Sequence, residues 1–232
     1  MVACFSYLAH VHTLHVTAMP RLNYGVDVEY TEGFVAGDGP LVAASLQGLG
    51  HPASLHSNPV ADDDVGRSVH ARLTDWNITL HPSATPMERT RTNIVVVDHS
   101  GNRTWFSGLR GITDELRAID LPRLTVAPVV YLDCYEVLQE APRAVMAAAL
   151  EAGCQVIVNL GGSPPPAWLA ETLRGRRIRA LQTNAEENTA SAHATLEALC
   201  ALDVAELTVV TVGRYGAIGH AHAGQNAVRF PP

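Results

Sequence analysis

Val35-Ala36-Gly37-Asp38-Gly39-Pro40-Leu41-Val42-Ala43-Ala44-Ser45-Leu46-Gln47-Gly48-Leu49-Gly50 joins a strand ending at Phe34 and Val35 to an amphipathic run, Leu41–Leu49. The glycines admit positive φ and let backbone come close to a ligand. Pro40 suits the first turn of a helix, whose unpaired N–H groups favour an anion or a hydroxyl. On its own residues the pentapeptide Ala36–Pro40 reads first as a plain connection and second as a binding loop. The surrounding chain decides between the two.

Toward the N-terminus, Val2–Leu8 and Val11–Val16 read as a first strand and its continuation, ending at Met19-Pro20. Tyr24–Val35 alternates β-favouring Val26, Val28, Tyr30 and Phe34 with polar residues, the pattern of strands with one wet face. His10 and His12 fall on one face of a strand. No carboxylate or cysteine is spaced to join them, so surface or hydrogen-bonded histidines take precedence over metal ligands.

Toward the C-terminus, Gly50 suits the position after a helix and Ala53–Leu55 reads as the next strand, which begins a βαβ pattern. Asn58–Asp64 is a turn whose last carboxylates cap a helix over Val65–Trp76, with Val65, Val69, Leu73 and Trp76 on one stripe. Asp62-Asp63-Asp64 also admits a magnesium reading, second to the cap. Thr90–Val97 and Arg103–Phe106 flank Asp98-His99-Ser100-Gly101-Asn102, a hairpin signal, and a hairpin beside a parallel α/β unit implies a lid or a dimer edge.

Regular alternation follows: strands at Thr125–Leu132, Gln155–Leu160, Arg179–Gln182 and Leu207–Val212, and helices at Ala141–Leu150, Ala167–Leu173 and Glu187–Leu202. Such alternation predicts an α/β fold with a doubly wound, mostly parallel sheet and helices on both faces. Ligands on these sheets sit outside the carboxyl ends of the strands, where the loops at Gly37, Gly161, Asn184 and Gly213 emerge. Asp133, following Val129–Leu132, is expected to point into the same cleft.

Composition narrows the function classes. With 232 residues and 47% hydrophobic content the chain buries one substantial core. Its formal net charge of -7 argues against a nucleic-acid surface, and the one basic cluster, Arg174, Arg176, Arg177 and Arg179, reads as a solvated turn. Cys4, Cys134, Cys154 and Cys200 stand far apart with no Cys-x-x-Cys, which fits reduced cytoplasmic thiols. Met1–Val16 lacks a basic leader region and carries His10, His12 and His15, so neither a targeting segment nor a membrane span is read.

Val35–Gly50, the turn Val60–Gly66, and the hairpin Thr90–Thr104 with Gly-x-Arg-Thr at Gly101–Thr104 resemble the N-terminal half of a ribokinase-like (PfkB) carbohydrate kinase. Asn184-Ala-Glu-Glu187 and Thr211-Val-Gly213-Arg-Tyr-Gly216 resemble its C-terminal half. The resemblance implies one α/β domain over Met1–Pro232 with a small β-sheet lid from about residues 17–35 and 88–108, possible homodimerisation through that hairpin, and phosphoryl transfer from ATP to a hydroxyl of a sugar, nucleoside or similar small molecule. It implies that Asn184 and Glu187 hold magnesium through water, that Thr211, Gly213 and Gly216 line the nucleotide, and that Gly37, Asp38, Gly39 and Leu41 stand on the substrate side. The bare residues also permit a capping box at Asn184 and Glu187, and a tight turn at Gly213 and Gly216.

The family pattern is departed from in places. Asp38 and Leu41 stand where the family has Lys and Asn, and Ala9-His10-Val11-His12 occupies the neighbourhood of the substrate-holding Asp, leaving His10 and His12 as hydroxyl partners. The family's Gly-Ala-Gly-Asp segment, with the anion hole and the catalytic base, follows the stretch resembled by Val228–Pro232, and no catalytic residue is identified within the 232 residues. Two readings therefore stand: a ribokinase-like phosphotransferase whose catalysis depends on that segment, and a non-catalytic kinase-like ligand-binding or regulatory protein.

Overall fold

The computed structural model describes residues 1–186, 188–222 and 228–230. In chain order the first elements are β1 (Val2–Phe5), β2 (Ala9–Val16), β3 (Val28–Ala36), α1 (Asp38–Gly48), β4 (Ala53–Ser57), α2 (Asp64–Asp75), β5 (Thr79–Pro82), β6 (Thr92–Asp98), β7 (Arg103–Phe106) and α3 (Ile112–Arg117). There follow α4 (Leu121–Leu124), β8 (Val129–Asp133), α5 (Ala141–Glu151), β9 (Gln155–Asn159), α6 (Ala167–Thr172), β10 (Ile178–Asn184), α7 (Thr189–Cys200), β11 (Ala205–Thr211), β12 (Ala217–Ala221) and β13 (Val228–Phe230). A large, mostly parallel sheet flanked by helices and a second, small sheet make up the fold, which is the class the alternation predicted. The chain divides into two compact units, Met1–Phe5 with Asp120–Pro232, and Ser6–Ile119.

In the first unit the strands run in the order β13-β12-β11-β10-β9-β8-β1. From β1 to β11 they pair in parallel, while β12 and β13 are antiparallel additions. Val130, Tyr131, Leu132 and Asp133 of β8 are all buried, the near-continuous burial expected of a parallel strand covered on both faces. Phe5, Leu132, Met146, Leu160 and Leu169 are among the largest fully buried side chains of this unit. Cys4 and Cys134 are buried here, and burial first, with the Asp133 charge second, pushes the Cys4 thiol up to about 12 and raises Cys134 as well. Both are packing residues held as thiols, not nucleophiles.

In the second unit β4 and β5 pair in parallel, and the small sheet runs β3-β2-β6-β7, with β2 and β6 parallel and the outer pairs antiparallel. The Val11–Val16 segment thus does not continue the first strand: β2 belongs to the small sheet. The Asp98–Asn102 hairpin forms between β6 and β7, with Gly101 at φ 80 and Asp98 accepting from the Ser100 and Asn102 backbone. The sequence predicted one wet face for Tyr24–Val35. Instead β3 starts at Val28 and is exposed on both faces as far as Phe34, as an edge strand of the small sheet.

The capping reading of the acidic triplet holds. Asp63 Oδ1 accepts from Gly66 N at 2.6 Å and Thr90 Oγ1 at 2.7 Å, and its Oδ2 accepts from Thr90 N at 2.9 Å. Asp62 and Asp64 both pair with Arg67. The hydrogen bonds from Thr90, backbone first, and then from Gly66 draw the Asp63 carboxyl from 3.8 to about 2. A carboxylate depressed in the folded state adds stability above its unfolded value and loses it as pH falls through the folded one. Asp63→Asn keeps the cap oxygen but has no second acceptor for Thr90 N. It is expected to cost about 1–2 kcal/mol at neutral pH, and in urea titrations from pH 2 to 5 it flattens the acid-side loss of stability. An unchanged acid slope would rule out this role.

Candidate functional site

Of the substrate-side residues of the sequence reading, Gly37, Asp38, Gly39, Leu41, His10 and His12 lie in the Ser6–Ile119 unit, and Asp133 lies in the other. Gly37 sits at φ 109 between β3 and α1, and a Cβ there would collide with the Tyr7 carbonyl; a Cβ on Gly39 would collide with Ser6. Neither position has room for a side chain, so the glycines bring the start of α1 against the Ser6–Tyr7 backbone. The helix starts at Asp38 rather than Leu41, because Gly37 breaks the strand and Asp38 places a carboxylate among the free N–H groups of the first turn. Asp38 is half-buried, while Leu41 is 47% exposed.

His10 and His12 share one face of β2, opposite Val35 and Gly33 of β3. His12 is exposed. The His10 ring lies over Gly33, where a Cβ would come within 2.7 Å of its Nε2, and its Nδ1 is buried without a hydrogen-bond partner. Burial, and then the neighbouring His12, lower the pKa of His10 and favour the neutral ring. A neutral imidazole both donates to and accepts from a hydroxyl.

In the other unit, four consecutive parallel strands end on polar residues: Asp133 on β8, Asn159 on β9, Asn184 on β10 and Thr211 on β11. Register pairs Asp133 with Asn159 and Asn184 with Thr211. Asp133 does not face an open cleft as expected; it is 0% exposed. Tyr131 Oη donates to its Oδ1 at 2.8 Å, and Asn159 Nδ2 lies 3.1 Å from the same oxygen and 3.2 Å from Tyr135 Oη. Asn159 Oδ1 accepts from Gly161 N at 2.9 Å, and Gly162 N donates to Thr183 Oγ1 at 3.2 Å.

Gly161 and Gly162 both have positive φ, 56 and 83. A Cβ on Gly161 would strike the Tyr135 ring, and one on Gly162 would approach Asn184 Nδ2 to 2.9 Å. The loop is therefore fixed between Tyr135 and Asn184. Sequence reading marked this loop but missed Asn159 and Tyr135. A lone polar residue closing the apolar run Val156–Val158 ahead of two glycines was the available signal.

Asn184 is exposed at the end of β10 and does not cap the next helix. Asn188 does so, accepting from Ala190 N at 2.9 Å and Ser191 N at 3.4 Å. The capping-box alternative for Asn184 is thereby removed, and α7 starts at Thr189 instead of Glu187. Glu187 itself lies outside the described residues. Asn184, Gly162, Ser163, Thr183 and Glu186 line a concavity of about 700 Å³ beside α7. Thr211 Oγ1 donates to Thr183 O at 3.3 Å. Gly213 and Gly216, at φ 50 and 81, bound a single helical turn between β11 and β12, closed by Val212 N donating to Gly216 O at 2.8 Å. Their backbone role as a tight turn is met whether or not a ligand lies against it.

No family model and no curated protein matches the sequence. Solved structures do match in shape. Ribokinase from Giardia lamblia is 12% identical with a TM-score of 0.77, over 99% of this chain and 75% of that one. A microbiome-derived acarbose kinase is 16% identical with a TM-score of 0.75, over 100% and 76%. A ribokinase from Arabidopsis thaliana, solved with ribose and ATP, is 16% identical with a TM-score of 0.70, over 99% and 77%. At these identities the likeness establishes the ribokinase-like fold that the motifs implied. Among the described residues no helix is long and apolar enough to cross a membrane.

Proposed function

We propose that this chain is a cytoplasmic ATP-dependent phosphotransferase acting on a hydroxyl of a sugar, a nucleoside or a similar small molecule. The observation that carries the reading is Asn184: an exposed amide at the carboxyl end of a parallel strand, released from helix capping by Asn188, beside a concavity of about 700 Å³. That volume falls within the range of small-molecule sites. The Asn184 amide and the hydroxyls of Ser163, Thr183, Ser191 and Thr195 offer a nucleotide hydrogen-bond partners, on a wall that also holds Leu, Pro and Ala residues and the Glu186 carboxylate. Bound Mg-ATP would supply the phosphoryl group and neutralise its charge. Asn184, with Glu187, would orient a metal-bound water or a phosphate oxygen. Gly37 and Gly39 would bring the α1 N-terminus, with Asp38, to the hydroxylated substrate, and neutral His10 would hold a hydroxyl.

The test is ADP release by the longest natural form of the gene product with a panel of sugars and nucleosides. Asn184→Ala is expected to lower kcat/KM by about tenfold to a hundredfold, the loss of one charge-assisted contact, with the melting temperature unchanged because the side chain is exposed. Absence of turnover with every compound removes the reading.

A second reading, a non-catalytic binding or regulatory protein, is favoured by one observation: Leu41, where the family pattern has a hydroxyl-binding Asn, is a solvent-exposed apolar side chain. Mg-ATP binding by calorimetry without turnover supports it. Self-association through the β6–β7 hairpin, where Trp105 and Phe106 are 66% and 62% exposed, belongs to either reading. Sedimentation showing only monomer at micromolar concentration removes that part.

A further inference from the structure

The four arginines that the sequence presented as a solvated turn stand on the connection from α6 into β10, at the amino end of the parallel strands, opposite the end that carries Asn184 and Thr211. Arg174, Arg176 and Arg177 line a concavity of about 590 Å³, shared with Asp203, Glu206 and His222. Gly175, at φ 74 with open space around it, turns the backbone between the first two.

Both carboxylates in this concavity are already committed. Arg177 Nη2 lies 2.6 Å from Asp203 Oδ2 and its Nε 3.3 Å from Oδ1, a two-point fork, and His222 Nδ1 lies 3.1 Å from the same carboxylate. Arg177, first among the causes, holds the Asp203 carboxyl below its ordinary range. Glu206 is paired with Arg179 at 2.6 Å. Arg174 and Arg176 have no ion pair among the described residues, in a chain whose formal net charge is -7. Two unpaired guanidiniums thus face a concavity whose own acids are neutralised.

We propose that this concavity is a second binding site, specific for a small phosphorylated organic anion such as a sugar phosphate, with Arg174 and Arg176 as its anion ligands and the Asp203-held Arg177 as a fixed wall. Guanidinium forks match phosphate oxygens two at a time, which an ammonium does not. The volume admits a scaffold of sugar size behind the phosphate. The overall acidity and the confinement of the charge to one turn disfavour nucleic acid.

Calorimetry on the full chain with glucose 6-phosphate and, separately, inorganic phosphate tests the proposal. Glucose 6-phosphate is expected to bind, and more tightly than inorganic phosphate. Arg174→Ala with Arg176→Ala is expected to weaken it by about tenfold or more. Arg174→Lys with Arg176→Lys keeps the charge, loses the forks and falls between. Both side chains are exposed, so thermal melts of the variants should match the parent. Asn184→Ala leaves this binding unchanged, which separates it from the site at the carboxyl ends. Undiminished binding by the double alanine variant, full affinity in the double lysine variant, equal affinity for inorganic phosphate, or no binding at millimolar ligand would each overturn it.

Discussion

Gly39→Ala is expected to destabilise the Ser6–Ile119 unit by about 3 kcal/mol or more, although a glycine-to-alanine change inside a helix ordinarily stabilises by about 0.5–1 kcal/mol. The sign reverses because the new methyl would collide with Ser6, which is fully buried and fixed by the backbone bond from Ser6 N to His56 O. Relief requires α1 to move off the Ser6–Tyr7 segment, disturbing the contacts of buried Ala43 and Leu55. The internal control is Gly48→Ala, at the other end of the same helix. It has open space around it and an exposed position, so it should be neutral or slightly stabilising. Urea unfolding of both variants decides the matter, and comparable midpoints for the two would show that the close approach at Gly39 does not exist.

The same loop shows what the sequence could and could not disclose. That Gly37 admits positive φ follows from residue type, and so does a helix after Pro40. That Gly37 and Gly39 lie against Tyr7 and Ser6 does not, because those contacts are with a different part of the chain. Periodicity found α2 and α5, which are long enough for a stripe to repeat. It did not find α3, α4 or β5, of six, four and four residues; α6 and β7 are as short, and were legible from their place in the βα alternation and beside the Asp98–Asn102 turn.

The candidate site was legible where a residue's type betrays its position and opaque where neighbours decide. Asn184 was found, but only the three-dimensional arrangement shows that Asn188 relieves it of capping. The place of Asp133 after the apolar strand Val129–Leu132 predicts a cleft-facing carboxylate, whereas the side chain is fully buried. Asn159, one of the groups that bond it, lies 26 residues away in sequence on the neighbouring strand.

Asn159→Asp is the change expected to cost most in the other unit. The substitution preserves shape and keeps the oxygen that accepts from Gly161 N, but replaces the group 3.1 Å from Asp133 Oδ1 and 2.9 Å from Tyr131 Oη by a second acceptor. Asp133 and Asn159 are 0% and 3% exposed, so a second carboxylate is set against the first where water does not screen it. Two carboxylates at that separation cannot both ionise there, and one must take up a proton. A loss of about 3–5 kcal/mol at neutral pH is expected, the range for an uncompensated buried charge. Its pH dependence identifies the cause. An acid whose folded pKa is raised costs stability above its unfolded value, near 4, so the deficit grows as pH rises from about 4 and shrinks toward acid, the reverse of Asp63. Asn159→Leu separates charge from geometry: it should also destabilise, without that pH dependence. Because Asn159 Oδ1 anchors the glycine loop that abuts Asn184, ligand affinity at the 700 Å³ concavity should fall in Asn159→Leu, which loses that acceptor, even where the chain is still folded. A flat pH profile for Asn159→Asp would mean that the side chain at this position does not sit against Asp133, and that the loop is held by something else.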